Sequence, residues 1–289
     1  IPSPTRSSAA SAEGFPVSTE EENMENKSQG AGYVSDFLEV LGDWILEGIE
    51  EIGKVIMLFF KALVWTFQPP FFLKNTIKQM LEVGVHSIPV VLITATFTGM
   101  VLALQTHTGF QRFNAESLVG TVVALSMTRE LGPVLTGLIV AGRAGSAMAA
   151  ELGTMLVTEQ IDALYTLATN PIKYLVVPRL IAGLVMLPIM TVLSDIVGIY
   201  GGLFVSVTIL DANQTVYLRR TWDYLKYNDI YSGLLKAAVF GLIISLIGCY
   251  KGFYTKGGAE GVGKATTGSV VISSMLILIS DYFLTAILF

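Results

Sequence analysis

The chain has 289 residues, of which 52% are hydrophobic and only 14% charged, and its mean hydropathy is +0.63. A soluble domain of this size carries about 25% charged residues because its surface faces water, so the composition argues against a soluble protein and predicts an all-α integral membrane protein. The net charge of −5, with most of the acidic excess in the first 51 residues, argues against a nucleic-acid partner.

The N-terminal segment, residues 1–33, differs from the rest of the chain. It is rich in Ser, Ala, Glu, Pro and Gly and has almost no apolar periodicity. It also lacks the apolar central stretch of a secretory signal. We interpret it as a disordered tail or an artificial extension, with Met24 as a candidate native start.

Residues 34–67 show the pattern of an amphipathic helix. Apolar side chains recur at helical spacing and charged side chains occupy the opposite face. We predict that this helix lies along the membrane interface rather than spanning it. The alternative is an ordinary soluble helix packed on a core, but no soluble core follows in the sequence. Pro69 and Pro70 end the helix, so the interfacial segment occupies residues 34–70.

About five apolar stretches follow, of a length suited to the roughly 17–20 residues that a bilayer core requires. They cover 88–104, 118–149, 175–209, 231–250 and 268–289. Lys and Arg are enriched in the loops 150–178 and 251–267, and such loops stay on the cytoplasmic side. This orientation places Phe289 outside.

Four charged residues interrupt the apolar stretches. Arg129 and Glu130 lie about 12 residues, or roughly 18 Å, into the second stretch, and Lys236 and Asp281 interrupt the last two. Charges at such depth cost several kcal/mol unless they face protein or water, so they are candidates for a functional cavity. The alternative is that they pair only to hold the bundle together. Neighbouring helical residues point about 100° apart. We therefore expect Glu130 to face Lys236 and Arg129 to face Asp281, in the same chain or across a dimer.

Two segments with distinct patterns lie at or near the predicted inner side. Small residues form two rows at four-residue spacing, Ala141/Gly145/Ala149 and Gly142/Ser146/Ala150, which suit close helix packing within one chain or between two copies. The stretch 151–167 reads as a polar-to-amphipathic helix with exposed acids, either an element that a motor protein pushes or a solvated loop helix.

One sequence motif is misleading. Residues 258–264 (GAEGVGK) fit the first seven places of a nucleotide-binding P-loop, but Ala265 stands where Ser or Thr must hold magnesium. A membrane span precedes the motif instead of a buried strand, so we expect no ATP site there. One cysteine and two histidines leave little basis for a metal site, and no nucleophile–base pair is evident, so we expect no enzyme activity in this chain.

Several of these stretches resemble a known family. They are RELGPVLTGLIVAGRAGSAMAAELGTMLVTEQIDAL from Arg129, NPIKYLVVPR from Asn170, GGAEGVGKATTGSVV from Gly257 and the terminal DYFLTAILF. They are similar to the MlaE/YrbE permeases of ABC transporters, a family of bacterial and chloroplast-envelope lipid permeases. The resemblance runs over 71–289, which we therefore take as the permease domain.

The resemblance implies a function and partners. It implies a homodimeric permease for phospholipid or a related lipid, with ATP and magnesium bound by a separate cytoplasmic ATPase. It also implies an MCE-domain protein on the outer face, often a STAS-domain protein, and a location in the bacterial inner membrane or the chloroplast inner envelope.

The resemblance also assigns roles to residues. The charged positions at the lipid cavity correspond to Arg129, Glu130, Lys236 and Asp281. The helix that couples to the ATPase corresponds to 151–164, with candidate contacts at Glu151, Glu159, Gln160, Asp162 and Leu164. The segment 216–229 stands in the place of a periplasmic helix, and Asp195 has no assigned counterpart.

Two other classes remain as alternatives. A proton-coupled secondary transporter would also use intramembrane acids, but it would normally show an internal repeat of its spans, which is not apparent here. A structural membrane scaffold would need no buried charges.

Overall fold

The computed structural model describes residues 42–43, 45–69 and 72–288. Most of these residues are helical, and no strand occurs within those ranges. Five of the described helical stretches are long and apolar enough to cross a membrane, and we call them spans 1 to 5: Leu73–Gln111, Glu116–Val157, Ile172–Thr208, Tyr227–Phe253 and Gly258–Leu288. The prediction of an all-α membrane protein with about five spans is confirmed.

Spans 1 to 3 are built from shorter helical pieces. Span 1 consists of α-helix Leu73–Val83, the 3₁₀ turn Val85–Ser87 and α-helix Ile88–Gln111. Span 2 runs through the 3₁₀ turn Glu116–Leu118 and the α-helices Val119–Ser126, Gly132–Val140 and Ser146–Val157, which are joined by π-helical turns at Met127–Leu131 and Ala141–Gly145. Span 3 begins with a π-helical turn, Ile172–Val176, and continues as α-helix Val177–Thr208.

The predicted boundaries differ most at the starts of spans 1 and 5, and span 1 begins at Leu73 rather than at 88. The sequence predicted a loop at 251–267, but the helix begins at Gly258, so most of that prediction is wrong. Hydropathy detects only the apolar part of a helix, whereas this helix has a polar first part. Lys264 and Glu260, four residues apart, form an ion pair of 2.8 Å on its exposed surface.

The amphipathic helix is described over 45–66. Within 45–54, the apolar residues Ile45, Leu46, Ile49 and Ile52 are exposed. Within 55–66, Leu58 and Ala62 are buried in an apolar cluster with residues of spans 2 to 4. Exposed apolar side chains suit a surface that faces lipid. The interfacial position itself stays a prediction. Residues 34–41, 44 and 70 of the segment, and the whole of the predicted tail at 1–33, lie outside the described part of the chain.

The first row of small residues packs within the chain. The Ser269 hydroxyl of span 5 donates a hydrogen bond of 3.2 Å to the Gly145 carbonyl of span 2. A side chain on Gly248 of span 4 would press against the same carbonyl, and one on Gly252 would press against Ala149. By contrast, Gly142 in the second row faces open space.

Two short helices connect the spans. Gln160–Thr166 links spans 2 and 3, and Gln214–Tyr224 links spans 3 and 4. The second covers most of the segment 216–229, which the family resemblance puts in the place of a periplasmic helix. Its residue Tyr217 is buried and donates a hydrogen bond of 3.3 Å to the Ile199 carbonyl of span 3. Burial raises the pKa of the Tyr217 phenol, so it stays a neutral donor at physiological pH.

Candidate functional site

A cluster of charged side chains joins spans 2, 4 and 5. The Lys236 ammonium of span 4 lies 2.6 Å from Glu130 Oε2 of span 2 and 3.1 Å from Asp281 Oδ1 of span 5. It also donates to the Thr285 hydroxyl at 2.7 Å and to the Arg129 carbonyl at 3.1 Å. The structure therefore brings together all four of the charged residues singled out from the sequence, and we call them, with Asp229 (below), the charged cluster.

The local chain conformation explains why Lys236 reaches the Arg129 carbonyl. In a regular α-helix that oxygen would accept from the nitrogen of Pro133, which carries no hydrogen. The chain forms a π-helical turn at Met127–Leu131 instead, where Gly132 N–H donates to the Met127 carbonyl. Lys236 supplies a donor to the freed Arg129 oxygen. π-helical turns inside α-helices occur frequently at functional sites.

Close approach of span 4 makes this geometry available. A Cβ on Gly233 would collide with the Thr128 carbonyl of the π-helical turn, so only glycine allows the two backbones to lie this near. Gly233 precedes Lys236 by three residues, which places both on one side of span 4. The glycine thus helps bring the lysine to the turn that carries Arg129 and Glu130.

One predicted pair does not form within the chain. Arg129 does not face Asp281; its guanidinium pairs with Asp229, with Nη2 and Nε at 2.7 Å and 2.9 Å from Asp229 Oδ1. Asp281 instead shares Lys236 with Glu130. The two neighbours on the π-helical turn diverge as expected, but Arg129 points towards the start of span 4 rather than towards span 5.

Sequence reasoning missed Asp229. It lies just before the predicted start of the fourth span, at 231, and ends the segment 216–229 that the family resemblance places between spans. In the structure span 4 begins at Tyr227, and Asp229 Oδ2 accepts from the backbone N–H of Lys226 at 2.9 Å. An acid in the first turn of a helix is a recognisable signal, because it stabilises the helix N-terminus. Here the same carboxylate also holds Arg129.

The members of the charged cluster differ in their exposure. The side chains of Lys236 and Asp229 are 0% and 2% exposed, whereas those of Arg129 and Glu130 are 37% and 38% exposed. The Asp281 side chain is 20% exposed. A cation, Arg129, and an acid, Glu130, are therefore partly exposed, and each is held by a buried partner. An arrangement of this kind can contact a charged molecule without leaving either buried charge unpaired.

Asp195 of span 3 packs behind the same turn. A Cβ on Gly132 would collide with Asp195 Oδ1, and this buried oxygen has no hydrogen-bond partner among the described residues. The acid therefore contacts the backbone of the π-helical turn but not the charged side chains. The sequence assigned it no role, and its position makes it a packing neighbour of the cluster.

The predicted coupling residues separate into two groups. Span 2 ends at Val157, and Glu159 has a left-handed backbone (φ 59°) that starts the short helix Gln160–Thr166, so 151–167 is not one helix. Glu159, Gln160 and Asp162 are exposed. Leu164 is half-buried and packs against the apolar cluster that contains Ile161.

Glu151 belongs to span 2 and has a structural partner. Its carboxylate lies 2.7 Å from Nη2 of Arg179 in span 3, whose side chain is only 2% exposed. Arg179 also donates from Nη1 to the Leu175 carbonyl at 2.8 Å. Glu151 therefore joins two spans at their predicted inner ends, and it is not part of the short exposed helix.

The segment that imitates a P-loop is helical. Gly258–Lys264 forms the first turns of span 5 and follows span 4 after a short connection. The strand and loop that a P-loop requires are not present at this position.

Comparison with known proteins identifies the family. A family model described as permease MlaE matches residues 76–287, which cover all of spans 2 to 4 and nearly all of spans 1 and 5. The chain belongs to the MlaE permease family.

Individual relatives agree with this. A probable ABC transporter permease protein of Rickettsia felis is 53% identical over 249 residues, which are 86% of this chain and 96% of that protein. Another, of Synechocystis, is 50% identical over 216 residues, 75% and 82% of the two chains. The Arabidopsis thaliana protein TRIGALACTOSYLDIACYLGLYCEROL 1, chloroplastic, is 42% identical over 238 residues, 82% of this chain and 66% of that one. The MlaE-family chain is thus an ABC transporter permease, a multi-pass transporter subunit rather than an enzyme.

Proposed function

We propose that this permease moves phospholipid, or a related lipid, between the membrane and an MCE-domain protein on its outer face. A separate cytoplasmic ATPase binds ATP and magnesium and drives the movement. The observation that carries the proposal is the charged cluster, which is anchored by buried Lys236 and Asp229 and opens through Arg129 and Glu130.

The chemistry of a lipid fits this cluster. A phospholipid has a charged head group and apolar tails, so its carrier needs apolar walls with a few charges at one level. Arg129 can contact a phosphate, and Glu130 can contact a cationic head group. Burial of a lone charge at mid-membrane costs roughly 2.5–3.5 kcal/mol, and the pairs with Asp229 and Lys236 offset this cost while the site is empty.

The short helix Gln160–Thr166 is the proposed contact for the ATPase. Ile161 is buried and Leu164 half-buried, which fixes the helix to the permease, while Asp162 is exposed. Two large apolar side chains at the end of this helix are also exposed: Tyr165 is 60% exposed and Leu167 is 73% exposed. A mixed polar and apolar surface of this kind suits docking of a protein partner.

The assembly is a homodimer in this proposal, with a STAS-domain protein as a further partner. Gly142, in the second row of small residues, faces open space on span 2, which suits close approach of a second copy. The membrane is the bacterial inner membrane, or the chloroplast inner envelope as the alternative. The bacterial relatives and the chloroplast relative support these two membranes. The name of the Arabidopsis relative contains the name of a galactolipid, which supports a lipid substrate.

Purification in mild detergent tests the proposal. We expect an ATPase subunit and phospholipid to co-purify with the permease, the first by protein mass spectrometry and the second by lipid extraction and mass spectrometry. The Glu130→Ala variant should still co-purify with the ATPase, but the amount or kind of co-purified lipid should change. A permease that co-purifies with neither would contradict the proposal and would favour a scaffold.

A further inference from the structure

A groove lies between the second part of the amphipathic helix, the first helix of span 1 and the start of span 3. Its volume is about 260 Å³, and its walls are nearly all apolar. The lining residues used below are Trp65, Phe72, Thr76, Lys173 and Ile181. This groove is separate from the charged cluster, with which it shares no residue.

The groove presents apolar surface even where its residues are polar. The Thr76 hydroxyl donates to the Phe72 carbonyl at 3.2 Å, and the hydroxyl of Thr66, another lining residue, donates to the Ala62 carbonyl at 2.8 Å. Both hydroxyls are thus engaged with their own helices. The Phe72 ring packs edge-on against Tyr174, with the ring centroids 5.1 Å apart, and closes one side.

A single cation stands at this groove. The Lys173 ammonium donates to the Pro69 carbonyl at 2.8 Å and lies 5.3 Å from the centroid of the Trp65 ring. Neither contact neutralises its charge, and among the described residues no acid pairs with it. The N-terminal turn of span 3 holds Lys173 in place, because Asn170 Oδ1 accepts from the backbone N–H groups of Ile172 and Lys173.

The chemistry of the groove matches an acidic phospholipid. Its apolar walls suit an acyl chain, and its unneutralised ammonium suits a phosphate. Trp and Tyr residues concentrate at the level of lipid head groups, as Trp65 and Tyr174 would here. The loop 150–178, which contains Lys173, is predicted to face the cytoplasm, so the lipid would come from the inner leaflet.

We propose that this groove binds one acidic phospholipid of the inner leaflet, with an acyl chain along Trp65 and Ile181 and the head-group phosphate at Lys173. The lipid is a resident ligand that joins the amphipathic helix to spans 1 and 3. The site is independent of the lipid that the charged cluster handles.

Quenching of Trp65 fluorescence tests the proposal. Trp44→Phe and Trp222→Phe leave Trp65 as the only tryptophan of the permease. The variant is reconstituted in phosphatidylcholine vesicles that contain either brominated phosphatidylglycerol or brominated phosphatidylcholine at equal mole fraction. We expect an approximately fivefold preference for the acidic lipid, which corresponds to the roughly 1 kcal/mol that one lysine contributes near anionic lipid.

Three further variants locate the effect. Lys173→Gln should abolish the preference and Lys173→Arg should keep it, whereas Lys264→Gln removes an exposed cation of span 5 and should change nothing. Thr76→Phe fills the groove and should reduce quenching by both lipids. Equal quenching by the two lipids, unaffected by Lys173, would overturn the proposal in favour of ordinary bulk lipid. Absence of quenching would overturn it in favour of a groove covered by protein.

Discussion

Lys236 combines complete burial with an ammonium group that reaches four oxygen atoms from spans 2 and 5. Two of those atoms belong to the carboxylates of Glu130 and Asp281, which would repel each other without the lysine. The structural role of this residue and its proposed role in transport therefore overlap. A single substitution at Lys236 cannot separate them, but a matched set of substitutions can.

Lys236→Met should lower the free energy of unfolding by about 3 kcal/mol, the lower end of the range for breaking a buried ion pair. The lower end applies because Glu130 and Asp281 keep partial access to solvent. Thermal unfolding in detergent measures the change. Lys236→Met combined with Glu130→Gln and Asp281→Asn removes the unpaired charges and should regain most of the stability without regaining transport. A triple variant that transports lipid normally would show that the charges serve packing alone.

The pair of Arg129 and Asp229 can be tested by a double-mutant cycle. Arg129→Gln and Asp229→Asn should show a coupling energy of roughly 1–3 kcal/mol, because the atoms are in contact and Asp229 is buried. The matched control is Arg129→Gln with Asp281→Asn, the pair that the sequence predicted and the structure does not form. A larger coupling in that control than in the first cycle would contradict the observed geometry.

At the scale of helices, the sequence predicts that a membrane span exists better than it predicts where the span begins and ends or which way its side chains point. Long apolar runs identified all five spans, and Glu130 and Lys236 were found because they are charged residues inside such runs. Both features can be read from residue type alone. The partner of Arg129 was missed because a π-helical turn and the true start of span 4 at Tyr227 depend on packing between spans. The start of span 5 was missed because its first turns are polar.

The short helix between spans 2 and 3 gives a prediction at this scale. Glu159→Lys and Asp162→Lys should weaken ATPase association, because both acids are exposed on the proposed docking surface. Pull-down of the ATPase and its stimulated activity measure this, with the permease still folded and inserted. Glu260→Lys reverses an exposed acid of span 5 on the same predicted side and serves as the control. Normal assembly with the ATPase in both test variants would contradict the proposed coupling role of this helix.

The amphipathic helix can be tested by cysteine accessibility. If it lies along the interface, one face should react with a water-soluble reagent from the cytoplasm along the whole of 34–67. The exposed apolar positions Ile49 and Ile56 should react slowly because they face lipid. Cys249→Ala provides the background, since that buried thiol is the only cysteine. Labelling of the two ends from opposite sides would show that the helix spans the membrane.

Across the whole molecule, span 2 links the two proposed working regions. It carries Arg129 and Glu130 of the charged cluster and, 21 residues beyond Glu130, the inner residue Glu151, which is roughly 30 Å along a helix. One of its π-helical turns, Met127–Leu131, contains Arg129 and Glu130, and the other, Ala141–Gly145, lies between Glu130 and Glu151. Glu151 also holds Arg179 of span 3, so a movement at the inner end can reach two spans at once.

The function proposed for this permease is the ATPase-driven movement of lipid past the charged cluster. Its most direct test is the transfer of fluorescent phospholipid between proteoliposomes that contain the permease with its ATPase and a soluble MCE-domain protein. We expect ATP-dependent transfer that falls at least tenfold in Glu130→Ala, with ATPase assembly intact, and stays unchanged in Lys264→Ala. Unchanged transfer in single replacements of Arg129, Glu130, Lys236 and Asp281 would contradict it.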